Sequence, residues 1–496
     1  MMANFRIKWR WIAGGISFTV FLILLILRLD IFYGQWNPFE SSKRNSVSIS
    51  FPKYPDRESW MNISQNGQKI GYSYRRFSRT DEGYRMVESV TMRINTMGVV
   101  QGIMFKTEGI LKPDMTLSSF DFDLKSSLFR FKTRGVVEGK KATLYTETQG
   151  SENKTVIPLK EAPRLSNGIF ETAEIGSLVT GESKMVYIFD PVAMTQRAVK
   201  VAVLGDESLT NMGRTQKVRK VSVDFMGSKQ FAWIGDNGEV LMEKGILGIT
   251  LERVTKHEAL RDFSTAASAD LTEMASVPSN VVIDDPAVLT SLKLKIAGIE
   301  KDALYVNGGR QLLRNKVLQI QKEAIPTRPL RDINVNGKDE FLKAGPFIQS
   351  NNPRIQAKMR EIISPDEPVA VKASKLVEWV YKHVEKRPVL SVPNALETLN
   401  NLVGDCNEHA VLLAALARAA GIPAQVEAGL VYHRGRFYYH AWNVLYLGTW
   451  VTADAVMGQM PADVTHIRLI RGEADKQIDL MGIIGKIRIK ILDKSQ

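Results

Sequence analysis

The chain of 496 residues has one cysteine, Cys406, so no disulfide can form within it and its fold must rest on packed cores. Histidine is scarce too. Five of the six lie after residue 382, and His383, His409, His433, His440 and His466 show no Cys/His pairing, no His-Glu-x-x-His and no carboxylate cluster beside them. That spacing argues against a metal centre, and no metal or other cofactor is expected. The formal charge of +13 comes with no nucleic-acid-binding motif, and the basic residues fall mostly in alternating segments where they make solvated faces. What the charge does favour is an anionic surface such as phospholipid head groups or an acidic cell wall. Long helical periodicity is missing from the first half. With 24% charged and 44% hydrophobic residues the composition is that of a globular chain, and its length suggests two to four domains.

The N-terminus carries the one long apolar run. Arg6, Lys8 and Arg10 precede an uncharged stretch from Trp11 to Leu27, closed by Arg28 and Asp30. At 1.5 Å per residue the stretch is about 25 Å long; Ile31, Phe32 and Tyr33 extend it while Arg28 snorkels. No small-residue cleavage site follows Leu27, so an uncleaved anchor is expected over residues 11–33 rather than a signal peptide. The basic residues in front of it keep the N-terminus in the cytoplasm. This reading gives a single-pass protein of the inner (cytoplasmic) membrane with an extracytoplasmic, periplasmic body.

The expected organisation is a cytoplasmic N-terminus and transmembrane helix over 1–34, then a Ser/Pro/Asn-rich linker over 35–57. An antiparallel curved β-sheet domain follows over 58–255, a connecting region with a small β unit over 256–344, and an α+β domain over 345–496. Asn66-Gly67, Glu82-Gly83, Glu138-Gly139 and Asn237-Gly238 are hairpin signals between alternating segments such as 87–94 and 120–124. Leu292–Ile296 and Val317–Lys322 read as short strands. Helices are expected over 353–363 and from Pro368 onward, the latter with Val371, Leu376, Val377, Val380 and Val384 at core spacing.

Cys406 stands where a helix should begin. Asp405 reads as its N-cap and Glu408 completes a capping box; residues 411–420 are apolar with Arg418 near their end; Gly421 is a fitting C′ residue and Pro423 blocks continuation. The first turn offers unpaired N–H groups and the positive end of the helix dipole, which favour a thiolate. Downstream, Phe437–Tyr446 and Trp450–Asp454 are aromatic and β-branched runs around a short Gly448-containing turn. A loop centred on Leu447 sets His440 directly opposite Asp454; a two-residue loop shifts that register by one. Carboxylate, imidazole and thiol together make a nucleophile, a base and its orienter. His409, one turn after Cys406, is expected with Glu408 to support or cap the helix, and His433 to face solvent. For an oxyanion the Cys406 N–H is one donor; Asn400, Asn401 and Trp442 are candidates for a second, with Trp442 equally able to pack over the pair.

Residues 404–423, Tyr438-Tyr-His-Ala-Trp442 and Trp450-Val-Thr-Ala-Asp454 resemble the core of the transglutaminase-like superfamily, whose fold is related to papain. The resemblance covers about residues 345–490. It implies Cys406 as nucleophile, His440 as general base and acid, and Asp454 as the group orienting the imidazole. Asp454-Ala455-Val456 departs from the Asp-Pro-Thr frequent in the family, which leaves the turn after the acid less fixed. Asp463 and His466 match residues frequent in close relatives, without a role that the sequence supplies. Segments 66–72 and 232–241 are similar to periplasmic curved-sheet domains of the lipoprotein-carrier kind, which implies either an acyl-chain site on the concave face or a docking sheet.

The expected function is a membrane-anchored thiol enzyme acting on amide bonds of a protein or peptide, cell-wall peptide included, through an acyl-thioester, with hydrolysis preferred over amine transfer. The alternatives are a non-catalytic peptide- or glycan-binding module and a lipid- or lipoprotein-handling protein led by the β domain. Nothing in the sequence sets an oligomeric state.

Overall fold

Alternation in the first half of the chain produces one long sheet, antiparallel except for its short edge strand Arg164–Leu165. In this computed structural model the described residues run from 56 to 496, apart from 97, 127–128, 149–150, 166–168, 171–177, 226–227, 246, 262–268, 300–303, 327–336 and 390. The anchor expected over 11–33 lies outside them; among the described residues no helix is long and apolar enough to cross a membrane. Between Arg57 and Val254 fifteen strands form a single sheet. Two meanders meet in its middle, where Arg57–Gln65 pairs with Ile249–Val254. The period-2 rule is visible strand by strand, as in Val99–Leu111, whose residues alternate between exposed and buried along most of its length. Asn66 and Gly67 both take positive φ, 50° and 83°, the turn that an Asn-Gly hairpin requires.

The sheet curls until its flanks approach each other. Pro163, just before the edge strand Arg164–Leu165, accepts a hydrogen bond from Leu117 of the opposite meander. The inner face is filled by side chains, with Phe77, Phe120, Phe122 and Phe189 nearly or fully buried. A cavity of about 260 Å³ opens where the sheet begins, but Arg57, Arg75, Arg253, Glu58 and Glu239 line it, a polar set that does not suit an acyl chain.

The second half is α+β. Helices Pro353–Ile362, Val369–His383 and Ala395–Asn401 pack around a fourth, Cys406–Ala419. In Val369–His383 the core side is made by Val369, Ala373, Leu376, Val377 and Val380. Val371 was expected among them but is exposed, because it lies two residues from Val369 and so on the far side of the helix. Strands Ala424–His433 and Arg436–Tyr446 form the central hairpin of a sheet that also takes in Val277–Pro278, Trp450–Ala453 and Ile467–Arg471. A separate four-stranded sheet joins Ser291–Ala297, Gln311–Arg314 and Val317–Gln321 to the C-terminal strand Arg488–Ser495. The small β unit is thus closed by the end of the chain. The two halves touch through Arg197 and Asp479, whose Nη1 and Oδ1 lie 2.6 Å apart.

Candidate active site

The helix Cys406–Ala419 starts as its sequence dictates. Asp405 accepts from the Asn407 N–H at 2.8 Å, and Glu408 accepts from the Asp405 N–H at 3.0 Å, completing the capping box. Gly404 makes room for this, since a Cβ there would collide with the Glu408 side chain. Glu408 also accepts from the Ser391 hydroxyl. Residues 406–418 are all buried, so this helix is the axis of the domain and not a surface helix. Cys406 itself is 0% exposed.

The hairpin holds the other two groups on strands packed beside this helix. The helix packs on strand Arg436–Tyr446, and the Asn443 amide donates to the Ala410 carbonyl at 2.9 Å, pinning the first turns of the helix against the strand that carries His440. His440 Nε2 lies 2.7 Å from Asp454 Oδ2, and both residues are 0% exposed. They meet by a different register from the expected one. Tyr446 pairs with Trp450, so the loop is the three residues 447–449, centred on Gly448 at φ +98°. That register runs Asn443 to Ala453, and the strand ends there; Asp454 therefore approaches His440 diagonally, on the same face of the hairpin, rather than from directly opposite.

The turn after Asp454 is fixed without a proline. Asp454 Oδ1 accepts from the N–H groups of Val456 at 2.7 Å and Met457 at 3.0 Å, and Asp454 and Gln459 exchange backbone hydrogen bonds at 2.8 and 2.9 Å. The looser turn expected from Ala455-Val456 is corrected by the carboxylate capping its own loop. With Oδ1 so occupied, Oδ2 serves the imidazoles. Burial alone would raise the Asp454 pKa, but the charges and hydrogen bonds of His440 and His466 outweigh it and hold the carboxyl well below the usual range.

His466 is the group that sequence reasoning left without a role. Its Nε2 lies 3.0 Å from the same Oδ2, and its Nδ1 faces Asp463, 3.3 Å from Oδ1 and 3.2 Å from the backbone oxygen. Gly429, the cross-strand partner of both His440 and Arg468, lets this segment in, because a Cβ on it would strike the Ile467 carbonyl. Folding thus supplies the carboxylates that the sequence did not show beside the histidines. Among the described residues His440, Asp454 and His466 are the one group whose donor atoms, within 4.8 Å of one another, could close on a metal ion. Both nitrogens lie at hydrogen-bond distance from one shared oxygen, the geometry of a proton-bonded network.

The remaining candidates are sorted by their partners. Trp442 stacks on His440 (centroids 6.1 Å apart) and meets His466 edge-on at 5.1 Å, while its indole N–H donates to Glu427 at 3.0 Å. That bond commits the indole to Glu427 and removes it as an oxyanion donor. Asn400 is half-buried and Asn407 fully so, and neither side-chain amide has a hydrogen-bond partner, whereas Asn401 is exposed. The sequence singled out Asn400 but not Asn407, which is hidden within the capping box. His383 is exposed and stacks on Trp379, and His433 is half-buried instead of facing solvent.

His409 is fully buried, and its Nδ1 lies 2.6 Å from the Asp405 carbonyl oxygen. Burial lowers its pKa from 6.5 to about 4, against the raising influence of Asp405 and Asp454. It is therefore neutral in the folded protein and ill-suited to compete as the base. The unfolded chain takes up this proton first as pH falls, so the associated stability is present above about pH 6.5 and is lost on the way down to about 4. Between pH 7 and pH 5 the parent protein should lose about 2 kcal/mol more than a His409→Gln variant, read from urea unfolding midpoints. Equal losses in the two proteins would refute a neutral buried His409.

A family model for the transglutaminase-like superfamily matches residues 356–455, a span that holds Cys406, His440 and Asp454. No curated protein matches the chain. Among solved structures, a β-barrel-like protein of unknown function from Brucella abortus is 13% identical, covering 41% of this chain and 98% of its own, at TM-score 0.33. A candidate cysteine protease from Cytophaga hutchinsonii is 16% identical over 42% of this chain and 84% of its own, at TM-score 0.27. A protein of an uncharacterised family from Pseudomonas aeruginosa is 11% identical over 40% and 95%, at TM-score 0.23. At such scores these likenesses carry no argument. Over residues 356–455 the family match stands by itself, and by it this part of the chain is a transglutaminase-like superfamily domain.

Proposed function

We propose that this protein is a thiol enzyme that cleaves amide bonds of a protein or peptide through an acyl-thioester on Cys406. The observation that carries the reading is the His440–Asp454 hydrogen bond of 2.7 Å, on a strand clamped to the first turns of the Cys406 helix. With Nε2 turned to the carboxylate, proton transfer falls to His440 Nδ1. Nδ1 takes the thiol proton, and the thiolate attacks the amide carbon to give a tetrahedral oxyanion. Collapse breaks the C–N bond, the imidazolium returns its proton to the leaving amine, and the thioester remains. Water, deprotonated by the same nitrogen, then attacks the thioester, releasing the acid and restoring the thiol. An amine in place of water gives transfer; hydrolysis is preferred because water is always at hand. The Cys406 N–H at the helix start and one unpaired amide, Asn400 or Asn407, are the proposed oxyanion donors. Attachment to the inner membrane through residues 11–33, with the body outside the cytosol, belongs to the same proposal.

The test is the reactivity of the thiol. At pH 7 Cys406 should label with iodoacetamide at least about 10²-fold faster in the parent protein than in His440→Ala, because only the thiolate reacts. Equal and sluggish labelling in both proteins would overturn the enzyme in favour of a binding module.

A further inference from the structure

We propose that His466 is a positioning residue, held as an imidazolium between Asp463 and Asp454, which fixes the Asp454 carboxylate that orients His440. The inference rests on the functional reading above only in its second half. The charge of the ring follows from what its nitrogens face. Nε2 points at Asp454 Oδ2 from 3.0 Å, and Nδ1 points at two acceptors of Asp463, the backbone oxygen at 3.2 Å and Oδ1 at 3.3 Å. A nitrogen without a proton would set its lone pair against an oxygen lone pair on either side, so both nitrogens must carry protons. His466 is 0% exposed and Asp463 is 3% exposed, so water does not screen the arrangement.

Each neighbouring element contributes known charges. From the strand Arg436–Tyr446 comes His440, its ring centroid 5.8 Å from that of His466, and from the Cys406 helix comes His409, which is neutral. Arg310, from the loop before Gln311–Arg314, donates to the carbonyl oxygens of Ala462, Asp463 and His466 and is paired with Glu323. Arg468, at the start of the adjoining strand, is paired with Glu427. Arg310 and Glu323 balance each other, whereas Glu427 is shared by Arg468 and Arg471, which leaves one positive charge in that cluster. Directly against the two rings stand Asp463 beside His466 and Asp454 shared between His466 and His440. Burial alone would lower the His466 pKa, but Asp463 and Asp454 together raise it to about 9, in agreement with the contacts.

The role follows from the shared oxygen. Asp454 Oδ1 is held by two backbone N–H groups, and its Oδ2 is held by His466 whether or not His440 is charged. The carboxylate therefore cannot swing away when His440 changes protonation state.

Two measurements test this on the full chain. In protein labelled with ¹⁵N at its six histidines, one ring should show both nitrogens protonated throughout pH 6–8, and its signals should vanish in His466→Gln. A His466 ring with an unprotonated nitrogen at pH 7 would overturn the proposal, and this result is independent of any catalytic activity. In the second, iodoacetamide labelling of Cys406 at pH 7 should slow by about tenfold in His466→Gln, and the same substitution should cost little more once Asp454→Asn is in place, because His466 acts through that carboxylate. A loss by the same factor in the Asp454→Asn background as in the parent would mean that His466 only supports the fold and would also overturn it. A parent protein whose Cys406 does not label would instead sink the thiol-enzyme reading, leaving the charge of His466 to be decided by the spectra.

Discussion

Cys406→Ala is expected to abolish hydrolysis of peptide amides, a loss of at least about 10³-fold, while the urea midpoint stays close to that of the parent. The substitution removes one sulfur from a fully buried site and leaves the capping box of Asp405 and Glu408 intact, so the helix still starts in the same place. Asp454→Asn should act differently. An amide at this position can offer only one oxygen, whereas the carboxylate serves two backbone N–H groups with Oδ1 and two imidazoles with Oδ2. Turnover should fall by about 10²–10⁴-fold because the His440 ring loses its fixed tautomer, and the midpoint should fall too. The measurement is release of new amino groups from a peptide pool, beside urea unfolding of each variant. Undiminished release by Cys406→Ala would end the proposal.

The second large effect is on stability. Glu427 is 1% exposed and is paired with Arg468, itself 2% exposed, and with Arg471. Its Oε1 accepts from Arg471 Nε at 2.8 Å and from Arg468 at 3.3 Å, and its Oε2 accepts from the Trp442 indole. Burial would raise the Glu427 pKa, but the two arginines bring it below the usual value. Glu427→Gln keeps the shape and removes the charge, leaving two guanidinium groups without their anion, one of them buried. Removing one partner of a buried ion pair costs about 3–5 kcal/mol, so the urea midpoint should drop by about 1–2 M. Because Trp442 lies against both His440 and His466, iodoacetamide labelling of Cys406 should change in the same variant. A midpoint within about 0.5 M of the parent's would show that the arginines find other partners.

Local chemistry was legible in the sequence, and long-range placement was not. The helix start at Cys406 could be read because its cap, its box partner and its Gly421 stop lie within sixteen residues of one another. Strand alternation and the Asn66-Gly67 turn were readable for the same reason. The loop centre was set one residue early, which misplaces the His440–Asp454 pairing by two, because Leu447-Gly448-Thr449 does not reveal which residue its loop centres on. Asp463 and His466 were invisible as participants. They sit in an irregular segment with no periodicity, and their contacts depend on Gly429 and Arg310, far away in the chain. Likewise nothing near residue 291 announces that Ser291–Ala297 will pair with Arg488–Ser495.

The complete burial of Cys406, His440 and Asp454 has a kinetic consequence. A reagent or substrate meets the sulfur only during excursions in which the surrounding chain parts, so the observed rate is the product of how often the crevice opens and how fast the open form reacts. Probes of equal intrinsic reactivity should then separate by girth, small ones outrunning bulky ones. At high concentration a fast probe should reach a ceiling equal to the opening rate itself.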